Sequence, residues 1–146
     1  MSMVRQASDV EHIGRMDNHY DQATGEWVTD WTRYESVLAA PRFAPIREHD
    51  FERWSAESAW ALLMSLLHAV PADVVPLVGS GPLENLVNER GAEFIDLLER
   101  DLPTQGRLRT AILNVNIERG ALPASVERRL AAAAGPSFRF LEARSP

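Results

Sequence analysis

The sequence predicts an all-α fold, a compact bundle of short helices, from two observations. Apolar side chains recur at helical spacing in successive segments that proline or glycine interrupts. No segment alternates between apolar and polar residues as a half-buried strand does. Short helices joined by tight turns pack against their neighbours in the chain, so we expect an orthogonal bundle or stacked, HEAT-like helical hairpins.

The bundle is expected to surround a central helix near residues 56–70. Between Ala59 and Leu67 the only polar residue is Ser65, so no face of this helix is predominantly polar and apolar neighbours should enclose it. Ser55 is suited to cap its first turn, and a proline follows its end. Because a membrane span needs about 20 apolar residues and this run is shorter, we expect no membrane-spanning helix.

The N-terminal segment, residues 1–29, shows no secure secondary-structure pattern. His12 and His19 lie among acidic residues, but their separation fits no compact metal motif. We therefore expect no metal site in this segment.

A first amphipathic helix is predicted from Asp30, which is a candidate cap. Its apolar face carries Trp31, Tyr34, Val37 and Leu38. Trp27 lies one helical turn before Trp31, and we expect both as core aromatics. Phe43 and Ile46 should anchor the proline-containing connection that follows.

The clearest helix start in the chain is a Gly-Pro pair. Gly81 suits the N-cap, Pro82 the first helical position, and Glu84 the third, from which its carboxylate can reach back to the cap. We expect Gly91 to end this helix and a second helix to occupy residues 92–102.

Two further helices, at residues 107–118 and 124–134, complete the predicted domain. A single helical domain is thus expected over residues 30–134, followed by a tail at residues 135–146. The two phenylalanines of the tail either dock on the bundle or remain mobile.

The composition excludes several classes of chemistry. The chain has no cysteine, which removes disulfides, thiolate metal sites and cysteine nucleophiles and suits a reducing compartment. All 15 basic residues are arginine, so Walker A and Schiff-base lysines are absent. The N-terminus has no apolar stretch of signal-peptide length, and we expect a cytoplasmic protein without cofactors.

The charge is unevenly distributed along the chain. Its net value is −6, to which residues 1–54 contribute −4, residues 55–103 contribute −6 and residues 104–146 contribute +4. These segments either neutralise one another across helix contacts or leave an acidic surface that attracts a basic partner. The overall acidity argues against general nucleic-acid binding.

Residues 81–101, GPLENLVNERGAEFIDLLERD, resemble an uncharacterised bacterial family of unknown function with a GPLE(D/N)L segment, a glycine and an EFID segment. The matching positions are Gly81, Pro82, Leu83, Glu84, Leu86, Gly91, Glu93, Phe94, Ile95 and Asp96. The sequence departs from the family at Ala92, where proline is frequent, and at residues 114–116, where a GVW-like sequence is expected. The resemblance spans roughly residues 58–134; it implies a helical fold and no catalytic residue.

Two features of the sequence could serve catalysis. Ser80 lies between glycines at a helix start, where free amides can bind an anion, but the G-x-S-x-G spacing and a preceding strand are missing. Glu89, Glu93 and Asp96 could cluster for acid–base work, although acidic helix faces are usually only solvated. His68 is expected as a hydrogen-bonded core histidine. No P-loop, dinucleotide loop, HExxH or EF-hand motif is present. The sequence therefore leaves enzymatic activity open but does not favour it.

The leading functional hypothesis is a small acidic module that binds another protein, such as an immunity or antitoxin-type inhibitor with a basic partner. A rigid scaffold would present the contact residues on the outward side of two consecutive helices. These residues are Glu84, Asn85, Asn88, Glu89, Glu93 and Asp96.

The alternative is a small-molecule or anion-binding domain, a class that includes enzymes, with a pocket near Trp27, Trp31 and Ser80. A deep pocket that joins those residues would favour it. A third hypothesis is RNA binding with steep salt dependence. Its contacts would be Arg107, Arg109, Arg128 and Arg129.

Overall fold

Helices between residues 30 and 134 pack around one apolar core, which confirms the all-α bundle. The computed structural model describes residues 18–21 and 26–142. His12 and the side chains of His19 and Trp27 lie outside the described part of the chain. No helix in the described ranges has both the length and the apolar character that crossing a bilayer requires.

The elements follow one another with short connections. A four-residue antiparallel ladder joins β1 (Asn18–Asp21) to β2 (Glu26–Thr29), and the sequence did not predict it because so short a ladder shows no periodicity. The helices are α1 (Asp30–Leu38), α2 (Ala44–Arg47), α3 (Ala56–Ala69), α4 (Val75–Val78), α5 (Glu84–Asp101), α6 (Gly106–Ile112) and α7 (Ala124–Ala134). Single 3-10 turns occupy Pro41–Phe43, Phe51–Arg53 and Ala72–Val74, and a π-helical turn, Gly79–Leu83, joins α4 to α5.

The central helix of the bundle is α3, as predicted. Ser55 caps it by accepting a hydrogen bond from the backbone N–H of Ser58 at 3.3 Å. Its fully buried large side chains are Trp60, Leu63, Leu66 and Leu67. Each such side chain stabilises the fold by roughly 1.5–3 kcal/mol relative to exposure, so this one helix supplies much of the core energy.

One side of α3 nevertheless faces solvent. Ala61 and His68 are exposed, so the expectation of apolar neighbours on every side is wrong, as is that of a core histidine at position 68. Alanine and histidine tolerate exposure, and the buried side of the helix is the one that carries Trp60 and three of the leucines.

The first residues of α1 differ from the prediction. Thr29, not Asp30, is the cap, because its hydroxyl accepts the backbone N–H of Thr32 at 2.9 Å. Asp30 is the first helical residue, 4 % exposed, and it pairs with Arg33, which also bonds both carboxylate oxygens of Asp73. This ion-pair group joins α1 to the turn before α4.

Close backbone packing fixes α4 against α6. A Cβ built on Gly79 would lie 2.1 Å from the carbonyl oxygen of Ala111, a distance that no side chain can occupy. Glycine is therefore required at this position.

The break predicted at Gly91 is a kink within one helix. Arg90 has φ −139° and ψ 34°, and α5 continues beyond it. A Cβ on Gly91 would lie 3.0 Å from Leu122, so the kink brings α5 close to the segment before α7.

The predicted reciprocal cap at Glu84 is wrong. Its carboxylate accepts the backbone N–H of Asn116 at 2.7 Å instead of reaching back to Gly81. The helix predicted at residues 107–118 also ends early, at Ile112, because residues 113–118 leave the helix to lie along α5 and the tail.

The tail docks on the bundle. Phe138 and Phe140 are buried and their rings meet edge to face at 5.0 Å. The backbone of Leu141 bonds to that of Ile117 and Arg119 at 2.8 and 2.7 Å. The core thus includes part of the segment that the sequence assigned to a tail.

Candidate functional site

A cavity of about 280 Å³ lies between α1, the connection at residues 46–52, and the π-helical turn before α5. Its apolar wall consists of Tyr34, Leu38, Ile46, Phe51, Leu77 and Pro82. Its polar side chains are Arg47, His49, Glu52, Ser80 and Asn85. Trp31 lines it as well, so the structure brings together two of the three residues of the predicted pocket, Trp31 and Ser80.

The cavity owes its shape to the bend at Gly81. The backbone there, with φ −113° and ψ −105°, departs from the helix, and α5 leaves in a new direction. Glycine has no side chain to fill the inside of the bend: a Cβ at this position would lie 3.5 Å from the Tyr34 hydroxyl. The space beside that hydroxyl therefore stays open.

Tyr34 directs its hydroxyl to this space. The residue is 4 % exposed and its hydroxyl bonds to no other described residue. The oxygen is not fully enclosed, since Nε of Arg33 is the one fully buried side-chain nitrogen or oxygen without a partner in the described chain. Burial raises the pKa of the Tyr34 hydroxyl above its ordinary value, so the group is neutral and can donate a hydrogen bond to an acceptor.

Trp31 stands at the cavity beside Tyr34. The two ring centroids are 5.6 Å apart with the planes tilted by 54°. Trp31 is 48 % exposed, so its interpretation as a core aromatic is wrong. Trp31 is exposed because its side of α1 faces the open cavity rather than another helix.

A carboxylate from another element also lines the cavity. One oxygen of Glu52, Oε2, lies 2.8 Å from Nδ1 of His49 and 3.4 Å from Nδ2 of Asn85. The Glu52 side chain is only 15 % exposed. His49 has φ 60°, in the left-handed region that non-glycine residues seldom adopt, so the backbone is strained where it positions this group.

Two arginines hold the cavity walls. Arg47 donates to the carbonyl oxygens of Leu38 and Ala40, at the end of α1, the second at 3.0 Å. Arg90 donates to the carbonyl oxygens of Glu52 and Trp54 at 2.8 and 2.9 Å. Both guanidinium groups are thus engaged with backbone, and Arg90 fixes the segment that carries Glu52.

Sequence reasoning missed Tyr34, His49 and Glu52 as site residues. The available signals were the i,i+3 spacing of Trp31 with Tyr34 and of His49 with Glu52. Neither spacing indicates that the two pairs line the same cavity. Their common placement depends on the bend at Gly81, more than 25 residues later, and a local sequence pattern does not predict such a long-range arrangement.

The six predicted partner contacts do not share a single free face. Glu84 and Asn88 contact residue 116, and Asn85 lines the cavity. Glu93 pairs with Arg90, and Asp96 pairs with Arg129 of α7. Glu89 is exposed.

The acidic and basic segments meet at α5 and α7. Arg129 also bonds Glu99 at 2.6 and 2.9 Å, and that hydrogen bonding lowers the pKa of the Glu99 carboxyl. Charge from residues 55–103 is therefore partly neutralised by the basic C-terminal segment, one of the two outcomes that the charge distribution predicted.

Three of the four arginines considered for RNA binding have partners within the chain. Arg107 donates to the carbonyl oxygens of Leu67 and Val70 at the end of α3, and Arg109 donates to those of Leu102 and Pro103. Arg129 forms the ion pairs just described. The carboxylates neutralise the charge of Arg129, whereas the carbonyl oxygens occupy donors of Arg107 and Arg109 without cancelling their charge.

The described side chains contain no group of three or more histidine, aspartate or glutamate residues placed to hold a metal ion. Comparisons of the chain with protein-family models, with curated proteins and with solved structures yield no match. The family resemblance of residues 81–101 therefore stays a prediction, and the functional argument rests on the cavity.

Proposed function

We propose that the chain is a small-molecule-binding domain whose ligand occupies the cavity between α1 and the π-helical turn. The observation that carries the proposal is the Tyr34 hydroxyl, which belongs to a buried residue, adjoins open space and has no partner in the described chain. A phenol hydroxyl both donates and accepts hydrogen bonds, so a ligand in the cavity could bond to it.

The lining supports the same function. Ligand sites are typically apolar clefts with a few polar groups that orient the ligand. Here apolar side chains form most of the wall, while the Tyr34 hydroxyl and the Glu52 carboxylate are two polar groups on different elements. A volume of about 280 Å³ suits a ligand of modest size.

The test uses three probes of similar shape: benzylammonium, benzyl alcohol and benzoate. Each is titrated into the ¹⁵N-labelled chain while the amide and indole resonances are followed by NMR. We expect at least one probe to shift resonances of the cavity lining, foremost those of Trp31 and Gly81. Absence of binding by all three up to about 10 mM, which corresponds to less than about 3 kcal/mol, would contradict the proposal.

A variant that blocks the cavity provides the second arm. Ser80 is exposed and lines the cavity, so Ser80→Trp should occupy it without disturbing the core and should abolish probe binding. Ser125→Trp, at an exposed position in α7, is the matched control and should bind as the wild type does. Equal binding by both variants would show that the probes bind outside the cavity.

A second candidate is the protein-binding function, with an immunity or antitoxin-type inhibitor as its example. Supporting it, the carboxylates of Glu93 and Asp96 remain 55 % and 81 % exposed although both are paired. The test is affinity capture from the native host at low salt, followed by charge reversal at Glu89, Glu93 and Asp96. A captured complex that survives the reversal would remove this candidate.

A further inference from the structure

We propose that the cavity selects small organic cations, with an ammonium group bonded to Glu52 and an apolar body against Trp31 and Tyr34. This inference rests on the function proposed above and adds the chemical class of the ligand. It follows from the charge, the aromatic rings and the unused hydrogen-bonding atoms of the lining.

The Glu52 carboxylate has one oxygen without a partner in the described chain. His49 and Asn85 both contact Oε2, whereas no described residue donates to Oε1. No arginine pairs with this carboxylate among the described ion pairs. A mostly buried carboxylate with one vacant oxygen is best satisfied by a charged N–H donor, because hydrogen bonds between ionised groups are the strongest.

Arg47 also lines the cavity. Its Nη1 donates to the carbonyl oxygens of Leu38 and Ala40, which holds the guanidinium near the end of α1. Nε and Nη2 bond to no described residue, so an anionic ligand could reach them. The benzoate probe therefore tests whether the Arg47 charge outweighs that of Glu52.

Aromatic rings also line the cavity. Trp31 and Tyr34 present ring surface to the cavity, and Trp31 is 48 % exposed. The faces of indole and phenol rings attract cations within about 6 Å of the ring centre. The aromatic rings and the carboxylate line the same cavity, and both favour a cation with an apolar body. The net charge of −6 attracts such a ligand at long range.

The three benzyl probes decide the inference because they differ mainly in charge. We expect the wild type to bind benzylammonium at least about tenfold more tightly than benzyl alcohol, and benzoate most weakly. Similar affinities for the cation and the alcohol, or tighter binding of benzoate, would overturn the inference. That ranking needs no variant and therefore does not depend on a variant's stability.

Glu52→Gln assigns the preference to its residue. The amide keeps the shape and removes the charge, so benzylammonium should lose about tenfold in affinity while benzyl alcohol changes by less than about twofold. Glu118→Gln, at an exposed position away from the cavity, should change neither affinity. A cation preference that persists in Glu52→Gln would overturn the role of this carboxylate.

The outcomes separate this inference from the proposed function. If all three probes bind equally and Ser80→Trp abolishes their binding, the ligand site is supported and cation selection is contradicted. If no probe binds, both proposals are contradicted.

Discussion

The helical run from α4 through α5 bends at Gly81 and again at Arg90, and the two bends differ in what occupies them. At Arg90 the protein fills the bend: the guanidinium bonds two backbone carbonyl oxygens and Glu93, and Leu122 packs on Gly91. At Gly81 the bend opens onto the cavity beside the Tyr34 hydroxyl. The first arrangement satisfies its polar groups from within the chain and the second does not, which is how a structural bend and a ligand site can be distinguished.

The largest effect is expected where the first bend is anchored, at Gly79. Gly79→Ala would force a Cβ against the Ala111 carbonyl oxygen and separate α4 from α6, which should cost about 3 kcal/mol or more in the free energy of unfolding. Urea denaturation measures this. The matched control is Gly106→Ala, where the nearest atom would be 3.6 Å away, and it should change stability by no more than about 1 kcal/mol. Equal losses would show that packing does not fix the bend.

The next effect concerns the filled bend. Arg90→Met keeps much of the side-chain volume but leaves the carbonyl oxygens of Glu52 and Trp54 without their charged donor, so we expect a loss of about 2–3 kcal/mol. Arg128→Met, at an exposed position of α7, should stay within about 0.5 kcal/mol of the wild type in the same denaturation experiment. If the two variants unfold alike, the second bend is not held by its arginine.

A smaller, pH-dependent effect is expected at the end of α5. Hydrogen bonding from Arg100, and then from the indole N–H of Trp60 at 2.7 Å, lowers the pKa of Asp101 below its ordinary value of 3.8. A carboxyl with a lowered folded pKa stabilises the fold above its unfolded pKa, and this contribution is lost as the pH falls through the folded value. Asp101→Asn should therefore cost about 1–2 kcal/mol at neutral pH, and the difference from the wild type should shrink in acid.

Denaturation at about pH 7 and about pH 2.5 measures that change. Asp50→Asn, an exposed position, is the control and should differ from the wild type by no more than about 0.5 kcal/mol at neutral pH. A difference for Asp101→Asn that is the same at both pH values would refute the proposed linkage.

The smallest effect on stability is expected at the open bend. Tyr34→Phe removes a hydroxyl that has no partner in the described chain, so stability should change by less than about 0.5 kcal/mol, whereas probe binding should weaken. Thermal unfolding and the NMR titration measure the two quantities on one sample. A loss above about 1 kcal/mol would mean that the protein itself satisfies this hydroxyl, and the two bends would then be alike.

The sequence predicted most of the helices because their signals are local. The uninterrupted leucines of α3, the Gly-Pro pair at Gly81 and the bounds of α7 all depend on residues within a turn or two of one another. The early end of α6 was missed because residues 113–118 gain more from contacts with α5 and the tail than from another helical turn.

The candidate site was predicted only in part. Trp31 and Ser80 were named together, and the structure places both on one cavity. The helical pattern predicts a buried side chain at Tyr34, but it does not predict that the hydroxyl lacks a partner. Likewise, the contact between Glu52 and Asn85 joins residues 33 positions apart and depends on the geometry of the bend.

The close approach of Gly79 to Ala111 has a consequence for ligand size. Because the two backbones already touch, the wall formed by the π-helical turn cannot retreat, whereas residues 47–50 on the other wall are exposed and join two short turns. A ligand larger than the cavity would fit only if that outer segment moved, because the opposite wall is fixed. Homologous chains that accept larger molecules would then differ between α2 and α3 while keeping glycine at the position of Gly79.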